Sequence, residues 1–155
     1  MFTNVAGVLD AIVLLYQPRI TAAHIGVVRR FCATLEVFGF GGELRQLFAN
    51  LIGNALDAMP HGGSLLLRVR RGSGRRGDGM WCVGLRVSIA DTGIGMSQST
   101  RRRIFDAFFT TKEATGTGLG LWVSEEIVPQ ALRFCASEEP AGEQEWDRLY
   151  GVFFR

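Results

Sequence analysis

The sequence predicts an α/β (α+β) fold, a two-layer sandwich in which one mixed β-sheet carries its helices on one face. Segments with helical and strand-like spacing follow one another in the order α-β-β-α-β-β-α-α-β-β, and no repeat or linker separates them. The chain has 155 residues, of which 47% are hydrophobic and 21% charged, as is typical of a globular protein with its own core. We therefore expect residues 1–155 to form a single domain.

The N-terminal part of the chain predicts one helix followed by two strands. Apolar residues recur at helical spacing from Val5 to Tyr16. Pro18 is expected to end that helix, because proline lacks the N–H that a continuing helix needs. Residues 24–33 and 35–40 are rich in β-branched and aromatic side chains and are interpreted as strands.

A long second helix and a hairpin follow. The helix starts at about Glu43, after a glycine-rich break, and Pro60 with the Gly62-Gly63 pair ends it. Residues 64–71 and 80–91 are two strand-like runs joined by a polar loop, which predicts a β-hairpin.

The last third of the chain predicts two shorter helices and two strands. Ser97 is a suitable N-cap for a helix over residues 98–109, and residues 119–128 form a helix that a proline ends. Residues 132–137 and 148–155 have the composition of strands.

Charge and cysteine content exclude several classes of protein. A net charge of +2 is too small to favour nucleic-acid binding. Cys32, Cys82 and Cys135 are far apart and lie among apolar residues, so we interpret them as reduced core thiols of a cytosolic protein. No segment approaches the ~18 apolar residues of a membrane span, and the N-terminus lacks the features of a signal peptide.

Polar residues interrupt the second helix on one side only. At about 100° per residue, eight apolar side chains fall on one broad stripe. They are Leu44, Leu47, Phe48, Leu51, Ile52, Ala55, Leu56 and Met59. Asn50, Asn54 and Asp57 fall together on the opposite side, with Gly53 between them. A solvated surface accounts for any one of them, but two asparagines one turn apart suggest a polar ligand, since asparagine is a poor helix former.

The segment "IADTGIGM" ends a strand with a carboxylate and a flexible turn. Asp91 could accept a hydrogen bond from an exocyclic amine, and Gly93 and Gly95 would let a flat ring approach the backbone. Taken alone, the segment is explained more simply as an ordinary strand-ending turn.

Two further segments have features of a phosphate site. "GTGLGL", from Gly116 to Leu121, places three glycines at a helix start, where backbone N–H groups suit a phosphate. Its spacing is not that of the dinucleotide fingerprint, and the chain contains no Walker A box. "IFDAFFTTKEAT", residues 104–115, adds Lys112, which could neutralise phosphate charge, while its phenylalanines are more simply core packing.

In this order, the four segments resemble the ATP-binding catalytic domain of sensor histidine kinases, within the superfamily shared with DNA gyrase, heat-shock chaperones and mismatch-repair ATPases. "NLIGNALDAM" is similar to the asparagine box of that family, and "DTGIGM" to its first glycine box. "IFDAFFTTK" resembles the phenylalanine box and "GTGLGLWVS" the second glycine box. The resemblance covers residues 5–128 and implies a Bergerat-type ATP-binding fold.

The resemblance also implies roles for individual residues. Asn54 would ligate the Mg²⁺ that bridges the ATP phosphates, and Asn50 would lie beside it. Asp91 would take the adenine amino group, with Gly93 and Gly95 against the base. The other residues expected to contact ATP are Asp57, Met96, Lys112, Thr115, Gly116, Thr117, Gly118, Leu119 and Gly120.

One difference within the superfamily bears on the reaction. The gyrase-like ATPases have a water-activating glutamate where this chain has Asn50, and an amide cannot act as a general base at neutral pH. We therefore expect slow hydrolysis and a phosphoryl acceptor other than water, namely a histidine on a separate domain.

The acceptor itself is not found in the sequence. His24 and His61 are the only histidines, and neither lies in a motif of the phosphorylated type. We expect the dimerisation and phosphoacceptor domain to be absent from residues 1–155, and the domain alone to bind ATP without phosphorylating itself. The expected partners are that acceptor domain and, through it, a response regulator, in the cytoplasm, with a parent protein that could be membrane-anchored.

Two departures from the family pattern and two rival functions remain. Ala107 replaces a common proline in the phenylalanine box, and residues 129–155 keep only an outline of the usual final strands, which we expect to pair imperfectly or in an altered register.

A serine-protein kinase of the anti-sigma-factor type shares these boxes. A non-catalytic ATP-sensing interaction module would also fit the missing acceptor.

Overall fold

The computed structural model describes residues 2–32, 36–38, 41–75, 80–95, 97–99, 133–136 and 148–154. Two long helices are present in these ranges, α1 (Val5–Ala22) and α2 (Gly41–Asp57). The strands are β1 (Phe2–Asn4), β2 (Ile25–Phe31), β3 (Glu36–Phe38), β4 (Gly63–Arg75), β5 (Trp81–Asp91), β6 (Arg133–Ala136) and β7 (Arg148–Phe154).

Five of the strands form one mixed sheet. Their order is β2-β4-β5-β7-β6, with β2 parallel to β4 and every other neighbouring pair antiparallel. β4 and β5 are the predicted hairpin, paired from Leu65↔Asp91 to Arg75↔Trp81. The predicted mixed sheet with helices packed against it is confirmed.

The core lies between this sheet and the two helices. All eight residues of the apolar stripe predicted for the second helix are buried, and Leu47, Phe48, Leu51 and Ile52 have no exposed surface. Alternate residues of β4 and β5 face them, because successive strand side chains point to opposite faces. Burial of such a side chain contributes about 1.5–3 kcal/mol, so the helix stripe is what fixes α2 on the sheet.

The first helix is longer than predicted. Asn4 caps it, with Oδ1 accepting from the Gly7 N–H at 3.0 Å, and it continues through Pro18 to Ala22. Pro18 is exposed, so the carbonyl group that loses its helical partner faces water and the helix is not ended. By length and composition alone α1 could span a membrane, contrary to the expectation that no segment reaches that length, but its buried side chains belong to the core described above.

Three other predictions differ from the structure. The second predicted strand is present at Glu36–Phe38, the described part of residues 35–40, but it pairs with β1 in a separate two-stranded sheet instead of joining the main sheet. The last two strands join that sheet with an uninterrupted register, from Leu85↔Phe154 to Asp91↔Arg148 and from Arg133↔Phe153 to Ala136↔Tyr150, so the expected imperfect pairing is wrong for the described residues. Cys32 is exposed rather than a core thiol, since it lies just beyond the end of β2.

Candidate nucleotide-binding site

The polar flank of α2 has the arrangement that the sequence predicts. Asn50 and Asn54 lie one turn apart and are half-buried, whereas Asp57 at the end of the helix is exposed. All three take part in polar contacts. The flank is therefore an ordered polar surface beside the core and not a fully solvated face.

α1 contacts this flank through Tyr16 and Arg19. The Tyr16 hydroxyl donates to the Ala49 carbonyl oxygen at 3.3 Å, and Arg19 Nη2 donates to Asp57 Oδ1 at 2.5 Å. The Arg19 guanidinium also lies 5.6 Å from the centre of the Tyr16 ring. Asp57, predicted to contact the nucleotide, thus contacts α1 in this structure. The sequence pattern of α2 alone could not reveal a partner 38 residues away.

Gly53 is buried beneath the Tyr16 hydroxyl, rather than being a gap between the polar side chains. A Cβ atom at Gly53 would lie 3.1 Å from Tyr16 Oη, which is tighter than an ordinary contact. The glycine therefore allows α1 to approach α2 at the turn that carries Asn50 and Asn54.

We expect Gly53→Ala to leave stability almost unchanged in the native background. The roughly 1 kcal/mol that alanine gains over glycine inside a helix would be offset by crowding against Tyr16. In a Tyr16→Phe background the same change should stabilise the protein by about 1 kcal/mol, because the crowding hydroxyl is gone. Urea denaturation of the four proteins in this double-mutant cycle measures the difference, and equal effects in both backgrounds would contradict the assigned contact.

Asp91 is the last residue of β5 and has no exposed surface. It lies on a central strand, between β4 and β7, and on the same face as the buried Val87 and Ile89. Its Oδ1 accepts from the Gly93 N–H at 2.9 Å, which fixes the orientation of the carboxylate. A buried, oriented carboxylate at the edge of the core is a strong hydrogen-bond acceptor for a ligand donor.

The turn after Asp91 is fixed on both sides. Thr92 continues the pairing with β4, since its N–H donates to the Ser64 carbonyl oxygen at 3.2 Å and its Oγ1 accepts from the Ser64 N–H at 2.9 Å. On the other side, the Ile94 N–H donates to the carbonyl oxygen of Ala58, just after α2, at 2.9 Å. Gly95 has a φ of 68°, a conformation that favours glycine.

The Ile94–Ala58 hydrogen bond brings the two halves of the site together. Ala58 follows Asn54 by four residues, which is roughly 6 Å along a helix axis at 1.5 Å per residue. Gly93 lies against the same carbonyl, where a Cβ atom would come within 2.4 Å of the Ala58 oxygen. The asparagines of α2 and the carboxylate of β5 are therefore held at one end of the helix–sheet interface.

The donor set fits an adenine nucleotide with a magnesium ion. A buried carboxylate suits an exocyclic amine, and amide oxygens suit Mg²⁺, which usually takes one or two protein oxygens together with phosphate and water. In the described ranges, no group of three or more His, Cys, Asp or Glu residues could hold a metal ion, so these residues offer no cage made of protein ligands alone.

The other predicted contact residues lie outside the described residues. They are Met96, Lys112, Thr115, Gly116, Thr117, Gly118, Leu119 and Gly120. The predicted helices over residues 98–109 and 119–128 also lie outside them, apart from residues 98 and 99. Conversely, four residues shape the site but were not predicted as contact residues. Thr92 and Ala58 lie inside two of the quoted motifs, whereas Tyr16 and Arg19 lie outside all four; each acts through a contact with a distant segment.

Comparison with known proteins places this chain in a family. Residues 41–144 match the family model described as "Histidine kinase-, DNA gyrase B-, and HSP90-like ATPase". The sensory histidine kinase/phosphatase NtrB of Azospirillum brasilense is 40% identical over 114 residues, which cover 69% of this chain and 28% of NtrB. The chain therefore spans less than a third of that relative.

Solved structures share the fold. The catalytic domain of histidine kinase ThkA superimposes with a TM-score of 0.82 at 20% identity, over 99% of this chain and 93% of that domain. ThkA in complex with the response regulator protein TrrA gives a TM-score of 0.74 at 18% identity, over 99% of this chain and 40% of that one. The chain belongs to the family of histidine kinase-, DNA gyrase B- and HSP90-like ATPases, and within it to the ATP-binding domains of sensor histidine kinases.

Proposed function

We propose that this chain binds Mg-ATP between the polar flank of α2 and the Asp91 turn, and donates the γ-phosphoryl group to a histidine on a separate acceptor domain. The single observation that carries the proposal is the 2.9 Å hydrogen bond from Ile94 to Ala58, which holds Asn54 and Asp91 at one end of the core. Membership of the ATPase family supports ATP as the nucleotide.

The adenine would lie against the turn after β5. Asp91 accepts the N–H of the adenine amino group, and its orientation is fixed in advance by the Gly93 N–H. Gly93 and Gly95 carry no side chain at their own positions in the turn, so the flat base would reach the backbone there. The base is thus read by one buried acceptor placed before the ligand arrives, which lowers the cost of binding.

The phosphates would lie along α2. The Asn54 side-chain oxygen is the proposed magnesium ligand, with Asn50 one turn away near the phosphates. Magnesium, when bound, neutralises phosphate charge and orients the γ-phosphoryl group. The further contacts from Lys112, Thr115 and the glycines at 116, 118 and 120 are part of the proposal, as is a contact from Asp57.

The chemistry of the acceptor follows from Asn50. In the transfer, the bond between the γ-phosphorus and the bridging oxygen of ADP breaks as a nitrogen lone pair of a neutral imidazole forms the new P–N bond. The attacking nitrogen carries no proton, so no general base has to remove one from it. Water or a serine hydroxyl must lose a proton, and an asparagine cannot accept it. Asn50 therefore favours histidine over the serine-kinase alternative.

The whole reaction needs partners that this chain would meet in a two-component system. They are the dimerisation and phosphoacceptor domain and a response regulator, and we place the domain in the cytoplasm. Incubation with an added histidine-bearing acceptor domain should give a phosphorylated product that is labile in acid. An acid-stable product would support the serine-protein kinase, and no transfer would support the ATP-sensing module.

We expect Asn54→Ala to remove the magnesium-dependent part of nucleotide stabilisation. At a free concentration of about 100 times the dissociation constant, Mg-ADP should raise the free energy of unfolding of the native chain by about 2.7 kcal/mol, because it binds the folded state only. Thermal unfolding with ADP, with and without Mg²⁺, measures this difference on the native chain and the variant.

Gln46→Ala is the matched control, since Gln46 is an exposed amide on the same helix two turns before Asn54. It should keep the full magnesium effect. A magnesium effect that persists in Asn54→Ala would show that another group binds the ion.

A further inference from the structure

The outer face of the five-stranded sheet, opposite the helices, carries a group of arginines that the proposed reaction does not use. The residues of β4 and β5 that belong to the core under the helices are alternate ones, so the intervening side chains point to the other face. The arginine face consists of Arg30 on β2, Arg68 and Arg70 on β4, and Arg86 on β5. Arg30 is exposed and the other three are half-buried.

The strand register places these arginines beside one another. Arg30 is the direct neighbour of Arg68 across the β2–β4 pair, and Arg70 is the direct partner of Arg86 across the β4–β5 pair. Neighbouring Cα atoms in a sheet are about 5 Å apart, and the two pairs are separated by two residues, or roughly 7 Å, along β4. Four arginine side chains thus start from neighbouring backbone positions on one face of the sheet.

No described residue neutralises this charge. None of the four arginines makes an ion pair or a side-chain hydrogen bond with a described residue, whereas Arg19 pairs with Asp57 and Arg29 with Asp10 on the helix side. Like charges directly opposite one another destabilise a sheet. Two such pairs side by side lower the stability of the folded chain by charge repulsion, and an anionic partner would relieve that repulsion.

Geometry and charge indicate the kind of partner. Glutamates at positions i, i+3, i+4 and i+7 share one face of a helix, with neighbouring Cβ atoms about 5–6 Å apart, which is close to the spacing of the arginine positions in the sheet. The planar fork of each guanidinium can bind a carboxylate with two parallel hydrogen bonds. We propose that the arginine face docks an acidic helix of a partner protein, through carboxylate–guanidinium pairs.

Two other anionic partners fit less well. Nucleic-acid binding usually draws on a larger basic surface, with about six to ten phosphate contacts for tight binding, and the whole chain has a net charge of +2. Membrane binding grows with apolar area as well as charge. Of the side chains described on this face of β2, β4 and β5, Val28 is the one exposed large hydrophobic group.

The test uses a 20-residue alanine-rich helical peptide with glutamates at i, i+3, i+4 and i+7, and the same peptide with glutamines. In low salt, the glutamate peptide should shift backbone amide resonances of β2, β4 and β5 around the four arginines, and the glutamine peptide should not. Arg70→Gln and Arg86→Gln should each weaken binding by about three- to tenfold, as expected for a charged hydrogen-bonded pair near the surface.

Arg71→Gln is the matched control. Arg71 is exposed and adjacent to Arg70, but it points to the helix side of the sheet, so its removal changes the net charge equally and should weaken binding less than about twofold. ADP affinity should be unchanged in all three variants, which separates this proposal from the proposed function. Equal losses in Arg71→Gln, or no resonance shifts on these strands, would overturn it.

The free protein supplies a second readout. Because Arg70 and Arg86 repel each other, Arg86→Gln should raise the midpoint of thermal unfolding by about 1–4 °C. A lower midpoint would mean that acidic residues of this chain already neutralise the face, and the proposal would fail. Stronger binding to vesicles of phosphatidylserine and phosphatidylcholine, or to duplex DNA, than to the glutamate peptide would also overturn it in favour of that partner.

Discussion

Replacement of Gly93 by alanine is expected to lower the free energy of unfolding by about 2–4 kcal/mol. The added Cβ would lie 2.4 Å from the Ala58 carbonyl oxygen and 2.7 Å from both its carbonyl carbon and its Cβ. These are mostly backbone atoms that cannot rotate away, and overpacking of this kind costs about 1–3 kcal/mol. Moving the turn would also weaken the Ile94–Ala58 hydrogen bond, worth about another 1 kcal/mol.

Gly42→Ala is the control for Gly93→Ala. No atom comes within 4 Å of a Cβ built at Gly42, which lies exposed in the first turn of α2. There the change should be neutral or stabilising by up to about 1 kcal/mol, since alanine is the better helix former. Urea denaturation of both variants measures the contrast. A Gly93→Ala protein as stable as Gly42→Ala would show that the turn does not approach α2 as closely as described.

The Gly93 contact also shows what the sequence could and could not predict. The apolar stripe of α2 and the hairpin of β4 and β5 were predictable, because each follows from the periodicity of one segment. The approach of Gly93 to Ala58 joins two segments far apart in the chain, and no local pattern encodes it. From the sequence, "DTGIGM" could be interpreted as an ordinary turn or as a ligand site. The close approach of Gly93 to Ala58 after α2 is the structural reason for a glycine at position 93.

The same distinction explains the errors. Pro18 was expected to end α1, because proline usually breaks a helix. That expectation uses only the sequence, and the sequence does not show that this turn faces solvent, where the unpaired carbonyl can bond to water. Cys32 was expected in the core from its apolar neighbours, but burial depends on where β2 ends. Asp57 is a different case, because its contact with the nucleotide stays a prediction; its ion pair with Arg19 of α1 is what its own helix does not reveal.

Asp91→Asn is expected to lower the affinity for ADP by about 10- to 100-fold. The isosteric amide can keep its oxygen toward the Gly93 N–H, so the protein should stay folded. Its NH₂ group would then take the place of the oxygen that accepts a hydrogen bond from the adenine amino group. Two hydrogen-bond donors, the amide NH₂ and the adenine amine, would face each other. Loss of one hydrogen bond to a charged group is worth about 1.5–3 kcal/mol, which gives the expected range.

The same variant should change which base is preferred, and this distinguishes base recognition from general damage. Guanine presents a carbonyl oxygen where adenine presents its amine, so the amide of the Asp91→Asn side chain can donate to it and the ratio of GDP to ADP affinity should rise. Isothermal titration with both nucleotides measures this ratio. Asp10→Asn removes the same charge from an exposed residue of α1 that pairs with Arg29, and it should alter neither affinity. If Asp91→Asn binds ADP as tightly as the native chain, the carboxylate does not read the base, because a buried donor placed against the adenine amine would weaken binding.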